Sequence, residues 1–109
     1  MITRLKISRS TTGILAQSYN NLKHHLTPNI VLRNALMYSI NNGDKYDDND
    51  IDTGGTEFQI STLLGSNAHI YQLLINQYYK KRLSDDDLKK ILAFHIEQGM
   101  KDKDFKSIF

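Results

Sequence analysis

The sequence predicts a mainly α-helical domain of four to five helices with one or two short strands. Three observations carry this expectation. Thr27–Ile40 opens with an N-cap threonine and a proline at the first helical position, and between Ile30 and Ile40 only Arg33, Asn34 and Ser39 are polar. Ser84-Asp85-Asp86-Asp87 marks another helix start, a capping serine with acids crowding the first turn. Period-two alternation is confined to Arg4–Ser8 and a possible second strand at Glu57–Ile60. The 109 residues suit one domain, spanning 1–109, that folds without staples. There is no cysteine, which excludes disulfides and thiolate metal sites and fits a cytoplasmic protein. No apolar run approaches the ~20 residues of a membrane span, and no signal-peptide core is expected at the N-terminus.

Taken in order, Arg4-Leu5-Lys6-Ile7-Ser8 alternates polar and apolar residues, as a half-buried strand does. A strand this short must pair to persist, and the same strand of a second subunit is the expected partner. Ser10 or Thr11 then caps a helix to about Leu26, with Leu15, Tyr19, Leu22 and Leu26 as a narrow apolar stripe. Thr27–Ile40 follows, with Leu26 and Val31 placed to form a hydrophobic staple across its cap. A helix apolar nearly all round is buried on more than one side, so this one is expected at the centre, facing a partner subunit as well.

Asn41 to Thr56 reads as a long loop with five aspartates between Asp44 and Asp52. Asp48, Asp50 and Asp52 alternate as in a calcium loop. Thr53 stands where that loop needs glycine, however, and Gln59 where it needs glutamate, so the segment reads as a solvated acidic loop. Glu57-Phe58-Gln59-Ile60 reads as a short strand leading to Thr62-Leu63-Leu64-Gly65. Asn67 starts a helix to about Lys81, with Ile70, Tyr71, Leu74 and Tyr78 on one face. Ser84 caps the last long helix, to about Gln98, with Leu88, Ile91, Leu92, His95 and Ile96 inward and Gly99 as its stop. Residues 101–109 are expected to form a loosely held tail.

No enzyme motif is present: there is no nucleophile elbow, P-loop or dinucleotide-binding glycine pattern, and Gly54-Gly55 alone is no phosphate cradle. His24 and His25 are adjacent and point apart on a helix, and His69 reads as a surface residue. His95 lies in an apolar stripe and reads as a satisfied core histidine. No cofactor and no metal is expected. The charge is informative through its distribution. Residues 1–40 carry Arg4, Lys6, Arg9, Lys23 and Arg33 with no acid, whereas residues 41–66 carry six acids against Lys45. Such asymmetry points to a polyanion partner for the N-terminal part. Arg4 and Lys6 share one strand face, and Lys80, Lys81, Arg82, Lys89 and Lys90 flank one helix–helix turn. Repeated by symmetry in an oligomer, these bases with Lys23 form the expected DNA-backbone contacts, which position DNA without reading sequence.

Two resemblances follow from these residues. The basic strand, helix, turn and helix of residues 3–40 resemble a ribbon-helix-helix module, which implies a sequence-specific repressor as the alternative function. Over nearly the whole chain the sequence resembles the DndE family of DNA sulfur modification (phosphorothioation). The resemblance is carried by Leu26-Thr27-Pro28-Asn29-Ile30 with Arg33 and Ala35, and by Gly55-x-Glu57-Phe58 with Thr62-Leu63-Leu64-Gly65. It continues in Tyr71-x-Leu73-Leu74 and Ala93-x-His95-Ile96-Glu97-x-Gly99. It implies a small helical protein, assembled as a homotetramer, that binds DNA with a preference for nicked duplex. It also implies partners among the other sulfur-modification proteins, a cysteine desulfurase and an iron–sulfur protein, and no catalytic residues of its own.

Overall fold

A computed structural model describes residues 2–21, 27–46 and 51–106. Strand β1 (Arg4–Lys6) is followed by helices α1 (Arg9–Asn21) and α2 (Pro28–Asn41), strand β2 (Glu57–Gln59) and a short helix α3 (Ile60–Leu63). A single 3₁₀ turn at Gly65–Asn67 leads into α4 (Ala68–Tyr79), α5 (Asp85–Lys101) and the short α6 (Lys103–Lys106). The mainly helical class with short strands is as the sequence predicts.

The strand finds its partner inside the chain, which corrects the expectation of pairing between subunits. β1 and β2 are antiparallel, with Arg4 opposite Gln59, Leu5 opposite Phe58 and Lys6 opposite Glu57. The ladder continues at both ends, where the Ile7 amide donates to the Thr56 carbonyl (3.1 Å), Gly55 to Ile7 (2.9 Å) and Ile60 to Thr3 (2.8 Å). Gly55 has to be glycine for this contact: a Cβ there would sit 2.4 Å from Thr12 Oγ1 and 2.5 Å from the Ser8 carbonyl oxygen. The β1 side chains alternate as expected, Leu5 buried and Arg4 and Lys6 exposed.

α1 starts earlier than predicted. Ser8 caps it, its hydroxyl oxygen accepting from the Thr11 amide at 3.0 Å, so Ser10 and Thr11 lie inside the first turn. Thr27 is the N-cap residue of α2 with Pro28 next, as predicted, but its hydroxyl bonds the Asn29 side chain rather than a backbone amide. Val31, Leu32, Ala35, Leu36 and Ser39 of α2 are buried, and the core is built chiefly where α2 crosses α5 beside Leu88, Leu92, Ile96 and Met100. The chain thus buries one face of its central helix with its own elements, while Ile30, Met37 and Ile40 stay half-buried.

Among the described residues the exposed large apolar side chains belong to α4. Ile75 and Gln72 point inward, whereas Ile70, Leu73 and Leu74 are 45%, 63% and 43% exposed. Ile70 and Leu74 thus do not share the inward face assigned to them from spacing. The helix is rolled by its C-terminal tyrosines. Tyr78 donates to the Asp44 carbonyl (2.6 Å), while the Tyr79 hydroxyl bonds His95 Nε2 (2.6 Å). Two further corrections concern the C-terminus. α5 runs through Gly99 to Lys101, so Gly99 is not its stop. Of the expected loose tail, Asp102 caps α6 by accepting from the Asp104 and Phe105 amides, and Phe105 is buried against Tyr38 at 5.3 Å between ring centroids. Residues 107–109 lie outside the described residues.

Candidate nucleic-acid interface

β1 and α5 are distant in sequence and adjacent in space, and a cleft of about 320 Å³ lies between them. Arg4 and Lys6 line one side and Lys89 and Lys90 the other, with Glu57 and Asp86 as the acids and Leu5, Ile51 and Thr53 completing the lining. The period of two puts Arg4 and Lys6 on the solvent side of β1. The helical period leaves Lys89 and Lys90 outside while Leu88, Ile91 and Leu92 go to the core. Four of the predicted contact residues are thus brought to one site. Arg4 is partly neutralised by Glu57, at 3.2 Å from Nη1 to Oε2, a solvent-exposed pair that contributes little stability. Lys6, Lys89 and Lys90 have no ion-pair partner among the described residues.

The remaining predicted residues are placed elsewhere. Lys80, Lys81 and Arg82 are exposed in the α4–α5 turn and do not line the cleft. Lys80 ends α4 in the left-handed conformation (φ 56°), its amide donating to Gln77 and that of Lys81 to Asn76, which closes the helix end. Lys23 falls outside the described residues, as do His24 and His25. One cation was not on the predicted list: Arg9, at the first position of α1, with its side chain 79% exposed and Nε 3.8 Å from Asp52. Only the true start of α1 reveals it, because a helix begun at Ser10 leaves Arg9 in a linker.

The described end of the acidic loop, residues 51–53, lies against this basic surface. Asp52 accepts from the Arg9 amide (3.0 Å) and from the Gly54 amide (2.9 Å), and these bonds hold its carboxyl below the usual carboxylate range. Its oxygens therefore serve the start of α1, where the helix dipole favours an anion. Arg33, counted among the N-terminal charges, is spent on structure. Its Nε donates to the Leu63 carbonyl (3.0 Å), and Asn29 Nδ2 donates to the Thr62 carbonyl (3.1 Å), so α2 closes the end of α3.

His95 is fully buried and hydrogen-bonded at both nitrogens, to Ser39 Oγ (2.8 Å) and Tyr79 Oη (2.6 Å). The partners fix its tautomer. Ser39 donates to Asp44 Oδ2 (2.9 Å) and so accepts from Nδ1–H; Nε2 then accepts from Tyr79, whose oxygen accepts from the Tyr46 amide (2.9 Å). Burial lowers the histidine pKa to about 4, keeping the ring neutral. With every group satisfied and no solvent access, this is a core histidine, as the sequence indicates.

Comparison with known proteins gives a consistent result. Residues 4–105 match the family model described as DNA sulphur modification protein DndE. Solved structures resemble the chain as well, two of them DndE structures. One is the crystal structure of DndE from Escherichia coli B7A involved in DNA phosphorothioation modification, with a TM-score of 0.78 and 27% identity, covering 92% of this chain and 95% of that one. The other is a DndE variant with glycine-to-lysine substitutions, with a TM-score of 0.77, 27% identity and the same coverage. No curated protein matches the chain by sequence.

Proposed function

The chain belongs to the DndE family of DNA sulphur modification proteins, and on that premise we propose that it is a non-enzymatic, homo-oligomeric DNA-binding protein of the phosphorothioation system. It holds the phosphate backbone, nicked duplex included, and leaves catalysis to the other sulfur-modification proteins. The observation that carries the reading is the convergence of Arg4, Lys6, Lys89 and Lys90 on one cleft. Lys23, Lys80, Lys81 and Arg82 extend the phosphate contacts. The exposed apolar face of α4, Ile70, Leu73 and Leu74, supports self-association, since symmetry would repeat the basic surface in each copy.

Equilibrium binding to intact and nicked duplex across a salt series tests the proposal. With about six phosphate contacts, log K against log[salt] is expected to slope near −5 and to vary little with sequence. A flat salt response removes the backbone reading, and a strong operator preference replaces it with a sequence-specific one.

A further inference from the structure

We propose that the cleft between β1 and α5 is a binding site for a phosphate monoester, either the terminal phosphate of a nucleic-acid strand or that of a free nucleotide. Three features converge on this ligand class. The first is shape. At about 320 Å³ the cleft is at the lower end of pockets that hold one small ligand. A duplex presents its phosphodiesters on a convex surface and meets the rim of such a cleft, whereas a terminal phosphate projects and can enter it.

The second feature is charge. Among the described residues the lining carries four cations and two carboxylates, a surplus of two positive charges. A phosphate monoester carries about −1.5 to −2 at pH 7, because its second pKa is near 6, whereas a phosphodiester carries a single charge. The cleft is therefore matched to the monoester. The third is availability. Glu57 is held by Arg4, leaving Lys6, Lys89 and Lys90 without an ion-pair partner among the described residues and free to donate charge-assisted hydrogen bonds from two sides. Ile51 adds apolar lining for a sugar or base, and Thr53 adds a hydroxyl.

For the strand-end source the inference rests on the DNA-binding reading above; for a free nucleotide it stands alone. The test uses the full chain, single-stranded oligonucleotides labelled at the 3′ end and bearing either a 5′-phosphate or a 5′-hydroxyl, and adenosine monophosphate against adenosine. At pH 7.5 the phosphorylated strand is expected to bind about tenfold tighter, the gain of one charge-assisted hydrogen bond. The preference should shrink below pH 6 as the monoester takes up a proton, since among the described residues the lining holds no histidine. Combining Lys6→Gln with Lys89→Gln should abolish it, while Lys103→Gln on α6 should leave it intact. Binding of adenosine monophosphate but not adenosine also supports the site and extends it to free nucleotides. Equal binding of both strands with no binding of the monophosphate overturns the inference and leaves the backbone reading standing. Monophosphate binding without any DNA binding keeps the site and overturns the backbone reading.

Discussion

Gly99 lies against the backbone of Ala35. A Cβ built on Gly99 would fall 2.1 Å from the Ala35 carbonyl oxygen and 2.6 Å from its carbonyl carbon, well inside any real contact. The two helices that form the core, α2 and α5, therefore touch backbone to backbone at this point, and the missing side chain sets their separation.

This contact reverses a familiar sign. Inside a helix, replacing glycine by alanine ordinarily stabilises by about 0.5–1 kcal/mol. Gly99→Ala should instead push α5 off α2, because backbone atoms cannot rotate away as a side-chain tip does. An overpacking cost of about 3 kcal/mol is expected, lowering Tm by about 10 °C or more in thermal unfolding followed by circular dichroism.

The His95 network makes stability depend on pH. The histidine binds its proton in the unfolded chain near pH 6.5 but in the folded chain only near pH 4. Between those values the unfolded state holds more protons, so stability is full above about pH 6.5 and falls as pH drops toward 4. Urea midpoints measured from pH 7.5 to 4 should show this loss. His95→Gln should flatten that part of the profile, at the cost of a lower midpoint at neutral pH. Tyr79→Phe leaves Nε2 buried without a donor and should cost about 1–3 kcal/mol at pH 7.

Lys80 occupies a left-handed position that a side chain disfavours. Lys80→Gly should raise stability by about 0.5–1 kcal/mol in urea titration while removing one charge from the α4–α5 turn. A gain in stability together with a shallower salt slope for DNA would separate the two roles of this residue.

Glu57 competes with any incoming anion for Arg4. Glu57→Gln should scarcely alter stability, since exposed pairs contribute little, but it releases a cation at the cleft. Tighter DNA binding at low salt is expected, with the slope of log K against log[salt] steeper by about 0.9. Self-association has its own test in Leu73, the most exposed apolar residue of the α4 face at 63%. Leu73→Glu should leave the helical signal unchanged and reduce the solution mass measured by light scattering.

The punctuation of this fold was legible because it is local. Thr27-Pro28 and Ser84 with its three aspartates each act within one turn, and both helices start where those residues say. The alternation at Arg4-Leu5-Lys6 likewise gave the exposed basic face, and the buried stripe of α5 placed Lys89 and Lys90 outside. What could not be read is long-range. Gly99 looks like a terminator until Ala35 is seen beneath it, and Gly54-Gly55 looks like loop until Gly55 is seen against Thr12 and Ser8. Spacing alone gave α4 an inward Ile70 and Leu74, because its roll is set by the hydrogen bonds of Tyr78 and Tyr79 to Asp44 and His95. The meeting of Arg4 and Lys6 with Lys89 and Lys90 was equally invisible, since it depends on β1 pairing with a strand 53 residues away. Charge singled out these side chains without showing which of them share a cleft.

The strand pairing has a consequence for synthesis. Apart from the Ser8 cap, the described partners that order the first turn of α1 and both ends of β1 come later in the chain: Asp52 for the Arg9 amide, Gly55 and Thr56 for Ile7, and Ile60 for the Thr3 carbonyl. A lone three-residue strand and a lone 13-residue helix are both marginal in water. The N-terminal bases of a growing chain therefore travel on an unfolded segment until Ile60 has left the ribosome, and the cleft waits further for Lys89 and Lys90. A nascent chain surrounded by ribosomal RNA thus emerges without the assembled cleft, which forms only when translation is nearly complete.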